Sequence, residues 1–589
     1  MSKFTNLWHN QHQTIILLFV LAAIVVFHCG KKQDKTTEGK TPGGTVVVVV
    51  PGDIDSFNPI VAAEQTAADV NDAIFPLLTG SKFNTQTGVL EYLPILAKSW
   101  EFANDHKDLI YHLRGDAYWQ DGVKITGQDV KFSYELYADP DVASVQQDLL
   151  EEFLHTKDGK VDIERSVEVP NDTTVIFHFQ RAYPLQMFHS GLTLVPRHIF
   201  QNADRKSLRT NPNNSQPIAA GPFKLERWTR QQEIVLARNE KSVLPHPAYV
   251  DRLVIRVVPE YASRLTQLKT GEADFMEGVN PEDVKDLKQS YAEIRLETIP
   301  GRFYDYVGWS NIDNEVYVKS NGKVIKPHPL FGSKKVRQAL TLAINRQEIL
   351  DGFLGEYGQL ATGPISPVFK WAYNDTLKPY PFDPGKAKQL LKEEGWEDHN
   401  GDGILDKGGR KFAFKLRTNS GNPRRAYASV IIQNNLKVIG IEVEIEQLES
   451  NVFFDGLRRK KYEAFLAGLS VPLEMDFENF FGSDLQKDLF NTASFQNKRV
   501  DEIFSAAKKV IEVTDAAPLW KEFQVILYEE QPVTFLYWVN RIVGINNRVQ
   551  GTSVNILGAL TNLGDWYVTG KKAGRLTVTP SGRQISIGI

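Results

Sequence analysis

The clearest pattern along this chain lies between residues 411 and 470. Phe412, Phe414 and Leu416 alternate with Lys411, Lys415 and Arg417, the period of a strand with one buried face. Residues 419–422 form a polar turn, and Pro423 opens a helix whose Ala428, Ile432 and Leu436 share one face until Gly440 stops it. Ile441, Val443 and Ile445 then alternate with Glu442, Glu444 and Glu446. Ser450 is placed to cap a further helix carrying Phe453 and Leu457, and residues 462–469 read as a third strand. Strand, helix, strand, helix, strand requires parallel pairing with right-handed crossovers. Parallel strands share one carboxyl edge, where open α/β sheets take their ligands. Residues 418–422 and 468–472 are therefore expected to face one crevice.

Other stretches carry weaker versions of the same signals. Residues 46–50 are a continuous apolar run bounded by Gly and Pro, the mark of a strand buried on both faces. Ile110, His112 and Arg114 alternate with Tyr111 and Leu113; Asp121-Gly122 makes a tight turn. Thr126 and Asp129 form a capping box before a helix with Val130, Phe132 and Tyr134. With the alternation at 174–179, residues 81–199 read as an α+β insertion. Strands return over 221–310, as at 252–258, with a helix before Gly271, and from about 312 the character is α/β. There Val336, Ala339, Leu340, Ala343 and Ile344 make one apolar helix face, and Asp383, Pro384 and Gly395 bound the next helix. No fixed-period repeat is visible.

Several of these segments carry wording as well as pattern. Residues 109–137 run LR, then W-x-D-G, then T-x-x-D-V-x-F-S. Gly43-Gly44-Thr45-Val46 leads to Asp55-Ser56-Phe57-Asn58-Pro59, and Leu96-Ala97-Lys98-Ser99-Trp100 follows. Further on come Gly221-Pro222-Phe223, Gly271-Glu272-Ala273-Asp274 and Val336-Arg337-Gln338-Ala339-Leu340. In this order the chain resembles the family 5 extracellular solute-binding proteins, receptor subunits of peptide and nickel importers driven by an ATP-binding cassette. The resemblance implies an α/β, two-lobed periplasmic-binding-protein-like fold (type II, large peptide-binding subclass) with an extra α+β insertion domain. It implies lobe I from 44–80, 200–311 and 545–589, the insertion at 81–199, and lobe II at 312–544. It further implies a monomeric receptor that captures a peptide, or another small solute, for a membrane permease and its ATPase.

Length agrees, since 589 residues exceed what one core supports. Sixty-eight basic against 72 acidic side chains give no basic stripe for nucleic acid. Lys3 precedes an apolar run at 15–27, shorter than the roughly 20 residues of a membrane span and suited to a secretory signal. Cys29, the one cysteine of the chain, follows it. Residues 1–29 are thus expected to be a lipoprotein signal with Cys29 as the lipid attachment. A removed signal and a short membrane anchor are the alternatives, because His28 stands where a small residue is usual. Residues 30–43 read as a flexible tether, and the mature protein as periplasmic or cell-surface. A single cysteine excludes a disulfide framework.

Motifs for catalysis are missing: the chain has no G-x-x-x-x-G-K-[ST], no H-E-x-x-H and no G-x-S-x-G. No catalytic residue, cofactor or metal is expected. Asp398, Asn400, Asp402 and Asp406 follow the start of a calcium loop, but Gly409 stands at its twelfth position. An ordinary turn and a weak calcium site both remain open. For the ligand, the resemblance implies a first loop with Glu64 and Gln65 and a far edge with Asn419, Arg424, Gly468, Leu469 and Ser470. Peptide-binding members carry Gly-Trp and then an ammonium-pairing Asp. Here Leu469 replaces the Trp, Pro472 stands near the Asp position, and Glu474 and Asp476 are the nearest acids. The rival readings are a non-peptide receptor (nickel complex, oligosaccharide), a surface sensor, and a secreted hydrolase.

Overall fold

The computed structural model describes residues 40, 42–243 and 246–569. The signal segment, Cys29 and most of the tether lie outside them. Eleven strands form one mixed sheet. At one end Ala413–Asn419 pairs in parallel with Glu442–Leu448 on one side and Ala464–Ser470 on the other. The helix Pro423–Val438 makes the crossover and buries Ala428, Ile432 and Leu436. At the other end Thr45–Val50 pairs in parallel with Arg252–Val257 and Phe275–Val279.

Two long antiparallel strands, Ile294–Trp309 and Val533–Asn546, join these ends. Residues 294–299 pair with 541–546, while 303–308 pair with 533–539 and 303–309 with 464–470. Between the two stretches the register shifts, from Ile299 to Phe303. Pro300-Gly301 occupies the shift, and a β-carbon on Gly301 would stand 2.3 Å from the Val539 carbonyl oxygen, so only glycine fits. The Gly301 amide donates to Asn540 Oδ1 at 2.8 Å. The apolar cores divide at this point: Ile299, Val543 and Ile545 belong to one, Tyr304, Phe535 and Trp538 to another. The molecule therefore has two lobes that share two strands.

The α+β insertion is a four-stranded antiparallel sheet covered by the helix Gly127–Ala138. The Thr126 amide donates to Asp129 Oδ2 at 2.9 Å, completing the capping box. Its core is continuous with that of the first lobe, from Val46 through Trp119 and Phe177 to Trp566. A hairpin, Thr79–Asn84 with Val89–Pro94, reaches the other lobe, where Phe83 meets Phe369 edge-on at 6.1 Å. One expected cap differs. The helix Ser450–Arg458 starts at Ser450 itself, and Glu449 caps it by accepting from the Val452 amide at 3.1 Å. A carboxylate one residue earlier reaches the free amides of the first turn, which the serine side chain inside that turn does not.

Candidate functional site

Three expected residues meet at the carboxyl edge of the parallel strands. Thr418 Oγ1 donates to the Leu466 carbonyl at 2.9 Å and fixes the two strand ends together. Asn419 Oδ1 accepts from Arg425 at 2.7 Å. Arg424 and Arg425 begin the helix, where their charges oppose the helix dipole. Asp305, wholly buried on the adjacent long strand, resolves this: its Oδ2 takes Arg424 Nε at 2.6 Å and its Oδ1 takes Arg425 Nε at 3.1 Å. Both guanidinium groups also lie over the Phe303 ring. Gly468 faces the cluster, and a β-carbon there would be 2.4 Å from Arg425. Arg424 is thus held by the protein rather than free, and the site carries two cations on one carboxylate. Leu469 packs against the second-lobe aromatic core, and Ser470 is exposed at the strand end opposite Phe303.

Glu64 and Gln65 lie on the first lobe, exposed at the start of the helix Gln65–Ile74. Gln65 Nε2 donates to Asp69 Oδ1 at 3.0 Å, so it serves a carboxylate one turn along. Burial raises Asp69 to about 6, with Glu277 adding to the rise and Arg541 opposing it. Asp72 is exposed on the same helix, and crowding by the surrounding protein, followed by the charge of Asp69, pushes it up to about 7. Arg541, at the register shift, pairs with Glu277. Arg302, on the long strand Ile294–Trp309, donates its Nη1 to the Val471 carbonyl at 2.9 Å.

A cavity of about 810 Å³ opens between the insertion and the second lobe. Tyr183, Leu185 and His189 line one wall; Glu474, Phe504 and Trp520 line the other. Arg181 crosses it, donating to the Lys508 carbonyl and pairing with Glu152. Glu474 lies four residues past the strand Ala464–Ser470 and is half-buried. Burial raises its pKa, and Arg302 nearby works against the rise. Among the described residues it makes no ion pair. Burial also lowers His189 to about 4.

The calcium-like loop is laced by its own hydrogen bonds. Asp398 accepts from the amides of Gly401 at 2.7 Å and Gly403 at 2.9 Å, and Lys411 pairs with Asp402. Among the described residues no three acids, histidines or cysteines converge as metal ligands. Likewise no helix of the described residues is long and apolar enough to cross a membrane.

Sequence reasoning missed Asp305, Asp69, Asp72, Arg302 and the insertion's wall of the cavity. Asp305 left one trace, an acid inside the aromatic alternation Phe303-Tyr304-Asp305-Tyr306.

Known proteins share this architecture. The sequence model described as bacterial extracellular solute-binding proteins, family 5 Middle, matches residues 91–488. The oligopeptide-binding protein AppA of Bacillus subtilis is 29% identical over 571 residues, 94% of this chain and 97% of that protein. Di/tripeptide-binding protein 3 of Pseudomonas aeruginosa is 26% identical over 81% of this chain and 86% of its own length. The structure of Bacillus subtilis AppA in complex with a nonapeptide superposes with a TM-score of 0.69 at 27% identity, covering 90% of this chain and all of that one. NikZ from Campylobacter jejuni in complex with Ni(L-His) gives 0.69 at 25% identity, over 89% and 99%.

Proposed function

Because this chain belongs to the bacterial extracellular solute-binding proteins of family 5, we propose that it is the receptor of an importer driven by an ATP-binding cassette, with a peptide as its solute. The observation that carries the reading is the cavity of about 810 Å³ between the insertion and the second lobe, with Glu474 in its wall making no ion pair among the described residues. The volume lies in the range of about 300–1,000 Å³ usual for small-molecule sites. The relatives named for oligopeptides and for di- and tripeptides point the same way.

In this reading lobe I (44–80, 200–311, 545–589) and lobe II (312–544) close about the register shift at Gly301, carrying the 81–199 insertion. Closure buries the peptide, and the closed form engages the permease. Main-chain hydrogen bonds give affinity that tolerates many sequences. Glu474 receives an ammonium group, the role its position after residue 470 suits. The solute leaves chemically unaltered. Cys29 carries the lipid, 30–43 is the tether, and the receptor works in the periplasm or at the cell surface.

Native mass spectrometry of protein purified from its own cells tests the reading, with fragmentation of whatever co-purifies. A peptide mass series is the expected result. Protein that carries no peptide and ignores a peptide library would overturn it.

A further inference from the structure

The cavity between the insertion and the second lobe is short of free positive charge. Its lining holds seven carboxylates and three basic side chains. Each basic group is already engaged by a lining acid: Arg181 with Glu152, Lys487 with Glu478 at 3.2 Å, and Lys508 with Asp476 at 3.3 Å and Glu478 at 2.5 Å. His189 adds no charge at neutral pH, since burial holds it near 4. Asp148, Glu151, Glu474 and Asp488 are left over, and among the described residues none of them makes an ion pair; Asp488 is buried and accepts from the Asp484 amide at 3.2 Å, which leaves the first three for a ligand. Arg302 is felt by Glu474, but its own hydrogen bond goes to the Val471 carbonyl.

The two walls contribute unequally to this surplus. Asp148 and Glu151 come from the insertion, whereas Glu474 follows the last parallel strand of the second lobe. A ligand cation between them would be held from both sides, which a carboxylate of the ligand would not be. Trp520 adds an aromatic face to the apolar part of the wall, and Arg181 already lies over the Tyr183 ring at 5.7 Å; such faces attract cations rather than anions. Glu474 is half-buried, which strengthens a charge contact there relative to open water, while Asp148 and Glu151 stand exposed at the rim.

We propose that this cavity selects peptides bearing several ammonium or guanidinium groups, received by Glu474 on one wall and by Asp148 and Glu151 on the other. The inference rests on the peptide-receptor reading above. A basic peptide would bridge the two walls, so its charge would count toward closure as well as affinity.

Isothermal titration of the folded protein with trilysine, trialanine, triglutamate and spermine tests it. Trilysine is expected to bind at least tenfold more tightly than trialanine, with triglutamate weakest, and the advantage to shrink as salt rises. Asp148→Asn with Glu151→Gln should narrow that ratio while leaving trialanine affinity and the melting curve in place, whereas Glu474→Gln should weaken trialanine as well as trilysine without moving the melting curve of the free protein. Equal affinities for the three peptides, or a preference for triglutamate, would overturn the charge selection and leave the peptide reading standing. Spermine binding without any peptide binding would overturn the peptide reading and assign the cation to a polyamine. Binding of none of the four would overturn both.

Discussion

Asp305 lies opposite Gly468 across the ladder of the second lobe, and its Oδ1 stands 2.5 Å from where a β-carbon at 468 would sit. The space that glycine leaves empty is filled by the Phe303 ring, the Arg425 guanidinium and the Asp305 carboxylate, which also holds Arg424. Removing the carboxylate strands two cations at a helix start. Asp305→Ala is therefore expected to cost about 3–5 kcal/mol, the range for breaking a buried pair. Gly468→Ala should cost about 1–3 kcal/mol by overpacking. Urea unfolding measures both, and unchanged midpoints would contradict the arrangement.

The acids of the first-lobe helix should make stability depend on pH in an unusual direction. Asp69 and Asp72 sit at about 6 and about 7 in the folded protein, above the ordinary carboxylate value. The folded state thus holds their protons more tightly than the unfolded one, and their unfavourable contribution grows as pH rises from about 4 to 7. Asp69→Asn with Asp72→Asn should raise the melting temperature at pH 7.5 and have little effect at pH 4. Equal effects at both pH values would show that burial is not what shifts them.

Gly301 meets the Val539 carbonyl more closely than any side chain allows. Gly301→Val should distort the crossing strands where the lobes join. Small-angle scattering should then lose the ligand-linked compaction expected of the parent protein. Full compaction in the variant would move the hinge elsewhere.

A bound solute should stabilise the fold by mass action. At a hundredfold excess over Kd the gain is about 2.7 kcal/mol, read as a rise in melting temperature with ligand concentration. A melting temperature that stays flat for a ligand seen by calorimetry would place that ligand outside the closed cleft.

The parallel unit at 411–470 was legible because alternation, Pro423 and Gly440 all point to the same elements. The two long strands were not. Pro300-Gly301 reads as the end of a strand, and the partner that carries the ladder past it lies more than 200 residues along the chain. Arg424 looked available because a sequence does not show which acid a fold brings beneath it. Glu449 was passed over as a cap because serine is the commoner choice. Asp274, within a family-like motif, proves structural: it accepts from the Val47 amide at 2.9 Å and pairs with Arg548. The cavity depends on how the insertion docks against the second lobe, a relation between distant segments that no local pattern carries.

Because Ile294–Trp309 and Val533–Asn546 run through both halves, neither half owns a complete sheet. Melting one would strip hydrogen-bond partners from the other, so heat should dissolve the molecule as one cooperative unit, with a single calorimetric endotherm. The same sharing keeps the moving parts in alignment: they pivot on a fabric woven through both, and no loose linker sets their orientation.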